Sequence, residues 1–397
     1  MNKLSELINK ICPNGVEYKQ LEKCCNILDN MRKPITKSAR EKGNYPYYGA
    51  NGIQDYVSNY IFDGKFILVG EDGSVINRNG NPIVTWAEGK IWVNNHAHII
   101  EAIEGIQLRY LYYYIQTINV VNLIHGNIPK LNQGDFRKLR IAVPPMEVQC
   151  EIIKILDKFT ELEAELEAEL EKRRKQYEYY RNKLLKFDET ANPCSCTHGY
   201  SKEQIKWIEL GNIGYVRMCK RILKSQTNTE TGIPFYKIGT FGKKADAYIS
   251  EKTYNEYKNK YKFPKKGDIL ISCSGTIGRI VVYNGEPAYF QDSNIVWLEH
   301  DESIVLNKYL KYCYLKNPWN VSTGGTIARL YNDNILKTKI PVPSLEMQEK
   351  IANILDKFEK LCNDISEGLP AEIEARQKQY EYYRDKLLTF KELKVNE

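Results

Sequence analysis

Hydrophobic residues recur at alternating steps of three and four positions in two long stretches of the chain. This heptad spacing is typical of a helix that buries one stripe against a partner helix. The first stretch predicts a helix from about Glu147 to Lys186, whose stripe contains Val148, Ile152, Ile155, Phe159, Leu162, Leu166, Leu170, Tyr177, Tyr180, Leu184 and Phe187. The second stripe contains Met347, Ile351, Ile354, Phe358, Leu361, Ile365, Tyr380, Tyr383, Leu387 and Phe390. We therefore predict two helical regions that form a coiled coil.

A break is predicted in the second helical region, at Ser366–Glu372. Gly368 is suited to end one helix, and Pro370 is suited to the first turn of the next. The first region instead carries the tetrapeptide repeat ELEAELEAELEK at Glu161–Lys172, in units close to one helical turn. This repeat allows the helix to vary in length one turn at a time.

The remaining sequence has the character expected of β-strands. Runs rich in β-branched and aromatic residues, bounded by Gly, Asn and Pro, occur at Lys65–Gly70, Pro82–Trp86, Lys90–Ile100, Asp268–Ser272 and Arg279–Tyr283. A short helix is predicted after the strands of each half, at Leu108–Thr117 and at Asn307–Lys316. We therefore predict an α+β fold with two tandem, mostly-β domains that are separated and followed by long helices.

The two halves of the chain repeat one another. The heptapeptide KQYEYYR stands at Lys175–Arg181 and again at Lys378–Arg384, and ILDKF stands at Ile155–Phe159 and at Ile354–Phe358. The repeat period is near 200 residues, which indicates a tandem duplication of a whole domain and not a solenoid. The segment Asn192–Ser201 is predicted to link the halves.

Charge alternates along the chain. Residues 1–145 carry a net charge of +4, residues 146–190 of −3, residues 191–345 of +9 and residues 346–397 of −3, within a total of +7. We predict these four segments to be a first domain, a central helix, a second domain and a C-terminal helical region. Basic domains suit contact with a polyanion, whereas acidic helices are better suited to contact with protein.

Patterns for catalysis or metal binding are weak. No GxGxxG or GxxxxGK[ST] loop is present, and the Asn-Pro pairs lack the second proline of an adenine methyltransferase site. Asp72 with Glu88 and Lys90 has the spacing of a metal-dependent nuclease, but turn residues beside a strand have it too. His96 and His98 are predicted to share one face of a strand without a third ligand, which favours hydrogen bonding over metal binding. We predict no catalytic residue and no metal.

The cysteines and the hydropathy indicate a reducing, cytoplasmic environment. The ten cysteines are scattered without a CxxC pair, and Cys194, Cys196 and His198 are poorly spaced for structural zinc. No apolar run approaches the length of a membrane span, and the first residues lack a signal-peptide core. We expect a cytoplasmic protein without contact to a membrane.

Four glycine-containing polar loops are candidates for contact with phosphate groups. Gly70–Arg78 corresponds to Ser272–Arg279 in the second half, and His125–Lys130 corresponds to Gly324–Arg329. Backbone N–H groups, hydroxyls and cations at strand ends suit a nucleic-acid backbone, although ordinary tight turns share this composition. The candidate DNA-contacting residues are Ser74, Asn77, Arg78, His96 and Lys130 in the first half and Lys237, Ser274, Thr276, Arg279 and Arg329 in the second.

The repeated helical motifs resemble those of a known family. PPMEVQ, ILDKF and KQYEYYRNKLL in the first half, with PSLEMQ, ILDKF and KQYEYYRDKLL in the second, resemble the specificity subunits of Type I restriction–modification systems. The resemblance covers essentially the whole chain and is strongest in the helical regions and in NNHAH. The ELEA repeat also resembles that family's central spacer repeat.

The resemblance implies a non-catalytic reader of double-stranded DNA. Each mostly-β domain would be a target recognition domain for one half of an asymmetric bipartite sequence, and the two helical regions would pack antiparallel. Two methyltransferase subunits would dock on the helices, and restriction subunits would join the full complex. S-adenosylmethionine, ATP and magnesium would be bound by those partners and not by this chain.

Two other classes stay open at this point. A single-chain DNA methyltransferase or nuclease would need the cofactor loop that the sequence lacks. A coiled-coil scaffold without a DNA role would share the helical stripes, so only a DNA-binding measurement separates it from a DNA reader.

Overall fold

A computed structural model describes residues 2–187, 205–321, 328–364 and 367–393, and these ranges fall into two units. The first unit combines residues 1–168 with residues 371–397, and the second contains residues 169–370. The predicted linker Asn192–Ser201, with its Cys194, Cys196 and His198, lies outside the described residues, as do Ile365 and Ser366. Each unit is a β-rich globular part with segments of the long helices.

The globular part of the first unit is built from ten strands and three helices. The strands are β1 (Glu17–Gln20), β2 (Cys25–Ile27), β3 (Lys42–Gly49), β4 (Gly52–Val57), β5 (Phe62–Gly70), β6 (Val84–Val93), β7 (Ala97–Ala102), β8 (Ile124–His125), β9 (Lys130–Leu131) and β10 (Arg140–Val143). The helices are α1 (Asn2–Ile11), α2 (Leu108–Ile115) and α3 (Gln133–Arg137). The predicted α+β class with a mostly-β core is confirmed.

A six-stranded sheet in the order β2-β7-β5-β6-β3-β4 forms the centre of this part. Neighbours are antiparallel except β3 and β6, which are parallel. The end of β5, Phe66–Gly70, is buried throughout, as expected for the apolar run of a central strand. Strands β1 and β10 pair separately, with Glu17 opposite Val143.

Two predicted strands of the first domain have different boundaries in the structure. The run Pro82–Trp86, from Val84 onward, and the start of the run Lys90–Ile100 belong to the single strand β6. The run Lys90–Ile100 is instead divided, because the Asn94 side chain accepts a hydrogen bond from the His96 backbone N–H at 2.8 Å and turns the chain before β7.

The central helix α4 (Met146–Leu184) is continuous over 39 residues and agrees with the predicted Glu147–Lys186. Its residues up to Ala168 belong to the first unit and those from Glu169 to the second.

The globular part of the second unit repeats the first. Its strands are β11 (Lys206–Glu209), β12 (Tyr215–Met218), β13 (Thr227–Asn228), β14 (Ile233–Tyr236), β15 (Tyr248–Ile249), β16 (Ile269–Ser272), β17 (Ile280–Val282), β18 (Tyr289–Phe290), β19 (Ile295–Glu299) and β20 (Lys339–Val342). Its helices are α5 (Glu251–Lys260), α6 (Asn307–Leu315) and α7 (Asn332–Leu336). The sheet β12-β19-β16-β17 has the same order as β2-β7-β5-β6, and β14 lies parallel to β18 as β3 does to β6.

Two helices, α8 (Leu345–Asn363) and α9 (Leu369–Leu387), follow the second globular part, so the predicted break is confirmed. Pro370 lies in the first turn of α9, where a backbone N–H would have no hydrogen-bond partner within the helix. A Cβ on Gly368 would lie 2.6 Å from the carbonyl oxygen of Asp364, so glycine is required there by a close approach of the backbone.

The repeated motifs before α4 and α8 join sheet and helix in the same way. The buried amide of Gln149 accepts a hydrogen bond from the Gln107 backbone N–H at 2.9 Å and donates one to the Pro144 carbonyl at 2.8 Å. Gln348 forms the equivalent bonds with Leu306 and Pro343, both at 2.9 Å. These duplicated glutamines satisfy backbone groups that packing would otherwise leave buried and unpaired.

Among the described residues, no helix has an apolar stretch of the length that a bilayer requires.

Candidate nucleic-acid interface

The candidate interface of each unit begins where the central strand of its sheet ends. In the first unit, the Glu71 backbone N–H donates to the His96 carbonyl at 2.9 Å and its carbonyl accepts from the Leu131 N–H at 2.8 Å. In the second unit, Cys273 forms the same two bonds with Asn294 (2.8 Å) and Leu330 (2.9 Å). The loops that sequence alone paired across the duplication are therefore structurally equivalent.

A glycine with a left-handed backbone turns both loops. Gly73 has φ 79° and Gly275 has φ 65°, and each stands two residues after the equivalent anchor, Glu71 or Cys273. A side chain at either position would be strained in this conformation. Both loops therefore leave the sheet edge at the same point and expose the polar residues that follow.

In the first unit the two predicted loops lie side by side. The Gly73 backbone N–H donates to the Pro129 carbonyl at 3.0 Å, so the loop Gly70–Arg78 adjoins the loop His125–Lys130. Ser74 and Arg78 are exposed. Arg78 has neither an ion pair nor a hydrogen bond among residues 2–187 and the other described ranges, so its guanidinium is available to an anion.

Asn77 is exposed, and its side chain also stabilises this loop. Its side-chain oxygen accepts hydrogen bonds from the backbone N–H groups of Asn79 at 2.9 Å and Asn81 at 3.1 Å. The loop tip is thereby fixed as an Asx turn.

The prediction that His96 and His98 share one face of a strand is wrong. His96 precedes β7 in the turn made by Asn94, and its side chain is 47% exposed and paired with Asp72. His98 lies within β7 and is fully buried, with its ring stacked on Phe136 at a centroid distance of 4.2 Å. Only His96 is therefore placed where it can contact a ligand.

In the second unit the predicted loop Ser272–Arg279 is held by its own hydroxyls and its arginine. The Ser272 hydroxyl donates to the Thr276 carbonyl at 2.5 Å, and the Ser274 hydroxyl donates to Asn294 at 2.9 Å. Arg279 donates to the Phe241 carbonyl at 3.0 Å. The side chains of Thr276 and Arg279 also lie 3.4 Å apart, so both shape the loop as well as line it.

The second predicted loop of this unit is only partly described, since residues 322–327 lie outside the described ranges. Arg329 is described, and its guanidinium donates to the Ser293 carbonyl at 2.9 Å. Arg329 therefore lies close to the turn that precedes β19.

A polar groove of about 560 Å³ opens beside that turn in the second unit. Its walls include the amide side chains of Asn228, Gln291 and Asn294 and the cations Arg221, Lys224 and Lys237, of which Arg221 is paired with Asp292 and Lys237 with Asp246. Amide groups can donate and accept at base edges, and cations suit the phosphates alongside.

Of these groove residues, Lys237 alone was predicted from the sequence. The missed cations, Arg221 and Lys224, follow β12 and are joined with Lys237 only when β14 pairs with β15 and β18. The basic pair Lys220–Arg221 is the signal that was present in the sequence.

The helices of the first unit pair antiparallel. The ring of Phe159 lies 5.5 Å from Tyr383 and 6.5 Å from Tyr380, and one turn later along α4 Glu163 is hydrogen-bonded with Gln377. Residue numbers rise along α4 as they fall along α9, which defines the antiparallel direction.

The second unit contains the corresponding pair of α4 and α8. The Tyr180 ring stacks on Phe358 at 5.4 Å, and Leu170 packs against the same core. Burial, followed by the nearby charge of Glu359, raises the pKa of Tyr177 to about 12, so this phenol is neutral. The predicted antiparallel packing is confirmed within each unit.

The predicted stripes are wrong at three positions, Leu162 in α4 and Ile354 and Leu361 in α8, whose side chains are exposed. Leu162 is 39% exposed, Leu166 is half-buried, and the fully buried residue earlier in α4 is Leu156. A four-residue repeat drifts by about 40° per step around a helix of 3.6 residues per turn, so its leucines cannot all stay on one face. Glu163 occupies the inward position instead.

The three tyrosines of KQYEYYR have different environments. Tyr177 and Tyr380 are buried, and Tyr180 and Tyr383 are the stacking residues just described. The third tyrosine is exposed in both copies, by 58% at Tyr179 and 61% at Tyr382. Packing within the units therefore explains two of the three repeated rings and leaves the third at the surface.

Comparison with known proteins places both halves in one sequence family. The profile of the Type I restriction modification DNA specificity domain matches residues 13–172 and again residues 202–375. Each match contains a globular part and the start of the helical segment that follows it.

Two relatives cover most of this chain. A Haemophilus influenzae protein, provisionally named a type I restriction enzyme specificity subunit, is 53% identical over 94% of this chain and 96% of its own. An Escherichia coli type I restriction enzyme specificity subunit is 31% identical over 71% of each chain.

Two solved structures share the fold at 16% sequence identity. One is the S subunit of a Type I restriction–modification system from M. genitalium, with a TM-score of 0.56 over 94% of this chain and 96% of that chain. The other comes from work on complex assembly and conformational transition of the type I system, with a TM-score of 0.55 over 95% and 98%.

Proposed function

The chain belongs to the family of Type I restriction–modification specificity subunits, and we propose that it reads an asymmetric bipartite DNA sequence, one half with each globular part. The observation that carries this proposal is the pair of equivalent strand ends with different side chains. Glu71, His96 and Lys130 in the first unit correspond to Cys273, Asn294 and Arg329 in the second. Equivalent loops with unlike side chains suit two unlike half-sites.

The charge distribution supports DNA contact by the globular parts and protein contact by the helices. The globular segments are basic and the helical segments acidic. Cations neutralise phosphates and give salt-dependent affinity, and polar side chains in the grooves of DNA then select the bases. The acidic helices would be repelled by DNA and are assigned to protein contact.

We assign the chemistry to partner subunits. In this proposal two methyltransferase subunits dock on the helical segments and modify adenine, and restriction subunits join them in a cytoplasmic complex. S-adenosylmethionine, ATP and magnesium would be bound by those partners, and this chain would position them on the target. The duplicated helix pairs support two copies of one partner, since each unit offers the same antiparallel surface.

Methylome sequencing of cells with and without the gene tests the proposal directly. We expect one bipartite motif with methylated adenines to disappear when the gene is deleted. Identical methylomes would contradict the proposal. Methylation by the purified chain alone would instead support a single-chain enzyme, and absence of sequence-specific DNA binding in the presence of a methyltransferase would support a scaffold.

A further inference from the structure

The first unit holds a cluster of charged side chains at its two candidate DNA loops, buried except for Lys130, whose side chain is 43% exposed. The cluster consists of Asp29, Arg32, Glu71, His98 and Lys130, which come from four separate parts of the sequence. Asp29, Glu71 and His98 are buried, and the Arg32 side chain is 11% exposed. Charges in such a place are retained only when each has a partner.

The carboxylate oxygens of the cluster are all occupied by donors of the chain itself. Asp29 accepts from the Ile99 backbone N–H at 3.0 Å, from His98 at 2.7 Å and from Gln133 at 2.9 Å. The two oxygens of Glu71 face Arg32 at 2.6 Å and Lys130 at 3.2 Å. Two carboxylates and an imidazole within 4.8 Å of one another have the composition of a metal site, but Arg32 and Lys130 fill it.

His98 links Asp29 to the segment that follows the second candidate loop. Its Nδ1 faces the Asp29 carboxylate at 2.7 Å and its Nε2 faces the Leu131 carbonyl at 2.9 Å. The buried ring is therefore held from both sides, by a carboxylate and by a backbone carbonyl. Burial opposes ionisation of Asp29, but the hydrogen bond and the charge of His98, with Arg32, hold the pKa of Asp29 below its usual value.

The cluster connects the segments that carry the candidate DNA residues. Glu71 opens the loop Gly70–Arg78, and Lys130 with Leu131 closes the loop that begins at His125. Arg32 also donates to the Ala97 carbonyl at 2.6 Å, beside His96. Three segments that meet at the candidate interface are therefore hydrogen-bonded or ion-paired to the same cluster.

The second unit lacks this cluster. The strand registers and the anchor hydrogen bonds make Cys273 and Val296 the equivalents of Glu71 and His98, and extending the register of β2 by two residues makes Met218 the equivalent of Asp29. Burial raises the pKa of the Cys273 thiol to about 11, so this position is uncharged. The cations are retained as Arg221 and Arg329, which bind Asp292 and the Ser293 carbonyl. The buried charges are therefore not a requirement of the fold.

We propose that Asp29, Glu71 and His98 are positioning residues of the first unit, which hold its two loops in the conformation that reads one half of the DNA target. This inference rests on the proposed function. It assigns half-site selectivity in the first unit to a buried network, whereas the loop Ser272–Arg279 of the second unit is held by hydroxyls, the Asn294 amide and Arg279.

The test uses the complex with its methyltransferase partner in cells, read by methylome sequencing. The near-isosteric variants Asp29→Asn and His98→Gln should reduce discrimination against wrong bases at least tenfold in one half of the target. That half should be the one in which Asn294→Ala, a change of an amide in the groove of the second unit, leaves discrimination unaffected. The control Asp268→Asn removes a half-buried carboxylate of the second unit outside the loops and should leave the first half unchanged.

A second variant covers the case in which the single substitutions unfold the first unit. The triple variant Asp29→Met, Glu71→Cys and His98→Val installs the residues with which the second unit folds, and the Arg32 guanidinium keeps its hydrogen bonds to the backbone carbonyls of residue 29 and Ala97. Thermal unfolding of the purified complex should show a cooperative transition, and discrimination in the first half should still be lost.

The outcomes separate this inference from the proposed function. A wild-type chain that yields no bipartite motif overturns the proposed function itself. A wild-type motif with first-half discrimination unchanged in folded variants overturns the positioning role alone. Equal loss in both halves also overturns it, because the effect would then not belong to the loops of the first unit.

Discussion

Arg221 in the polar groove of the second unit is the residue on which we expect non-specific affinity to depend. It is 68% exposed and restrained by Asp292 at 2.8 Å, so a phosphate can reach its guanidinium without desolvating a buried charge. Arg221→Ala should weaken DNA binding by the assembled complex on all sequences. It should also reduce the slope of log affinity against log salt by about 0.9, the value for one phosphate contact. Titrations at several salt concentrations measure both.

Arg140 provides the matched control for Arg221. It is 60% exposed and also paired with a carboxylate, that of Glu392, but it lies on β10 of the first unit, away from the candidate loops in sequence. Arg140→Ala should leave the salt slope unchanged. A slope for Arg221→Ala equal to that of the wild type would remove the groove from the DNA interface.

Glu163 lies on the inward side of α4, and this position predicts that its charge lowers the stability of the protein. Burial, with the charges of Glu167 and Glu381, raises its pKa although Gln377 donates a hydrogen bond to it. Because the pKa of Glu163 is higher in the folded state than in the unfolded state, its contribution to the free energy of unfolding is fully present below the unfolded-state pKa. That contribution is lost as the pH rises through the folded-state pKa. Glu163→Gln should therefore raise the melting temperature at pH 7 by about 1–2 °C.

The same substitution should have no stabilising effect at about pH 4, where the wild-type carboxyl is largely protonated. Glu161→Gln, an exposed position in the same repeat, should change the melting temperature at neither pH. Thermal unfolding of the purified chain at both pH values measures the difference, and equal effects at positions 161 and 163 would contradict the inward placement.

Single residues were only partly predictable, because sequence shows a cation but not its partner. Lys130 and Arg279 were selected as candidate DNA contacts, and that selection stays a prediction. The carboxylate of Glu71 near Lys130 and the Phe241 carbonyl that binds Arg279 are distant in sequence. Arg221 was missed because the groove exists only after β14 has paired with its neighbours.

At the scale of elements, the ELEA repeat in α4 predicts the spacing of the DNA target. One repeat unit adds four residues, or about 6 Å of helix, which corresponds to about one or two base pairs. Insertion or deletion of one unit should therefore change the gap between the half-sites and leave the halves themselves unaltered. Methylome sequencing of both length variants measures the gap.

A variant of unchanged length separates the spacing role from the side chains. Leu162→Ala removes an exposed side chain within the repeat and should leave the gap as in the wild type. An unchanged gap after insertion of a full unit would contradict a role of α4 in target spacing.

Elements with a strong local signal were predicted well. The limits of α4, the break marked by Gly368 and Pro370 and the pairing of helices all agree with the structure. Strand limits were predicted less well, because the turn at Asn94 depends on one side-chain hydrogen bond inside an apolar run. The helical stripe failed at Leu162, where the repeat period of four departs from the helical period.

At the scale of the whole molecule, the exposed tyrosine of each KQYEYYR copy predicts the stoichiometry of the complex. Tyr179 and Tyr382 are exposed aromatic residues on equivalent helical surfaces, and such residues often dominate binding energy. Tyr179→Ala and Tyr382→Ala should each weaken the binding of one methyltransferase subunit, and the double variant should weaken both. Native mass spectrometry of the complexes counts the bound subunits.

Tyr215 supplies the control for the two tyrosines. It is 67% exposed but lies on β12 in the second globular part, so Tyr215→Ala should retain two methyltransferase subunits. Two bound subunits in the Tyr179→Ala, Tyr382→Ala double variant would contradict this docking site.

The duplication made the architecture of the whole molecule predictable, since identical motifs in both halves predict identical contacts. It did not predict how the chain divides into units, because that division cuts through α4 and α9. The contacts responsible are long-range ones, such as the parallel bridge between Val16 and Glu392.

That bridge has a consequence for synthesis of the protein. The second unit is one continuous segment of 169–370, whereas the first needs residues 371–397 to cover Val16, Tyr18 and the start of α4. At about 5–20 residues per second, these last residues follow the start of α4 by roughly 10–50 s. The second unit can therefore fold on the ribosome as it emerges, while the first waits with part of its apolar core uncovered. Chaperone dependence during translation should accordingly be concentrated in the half that is made first.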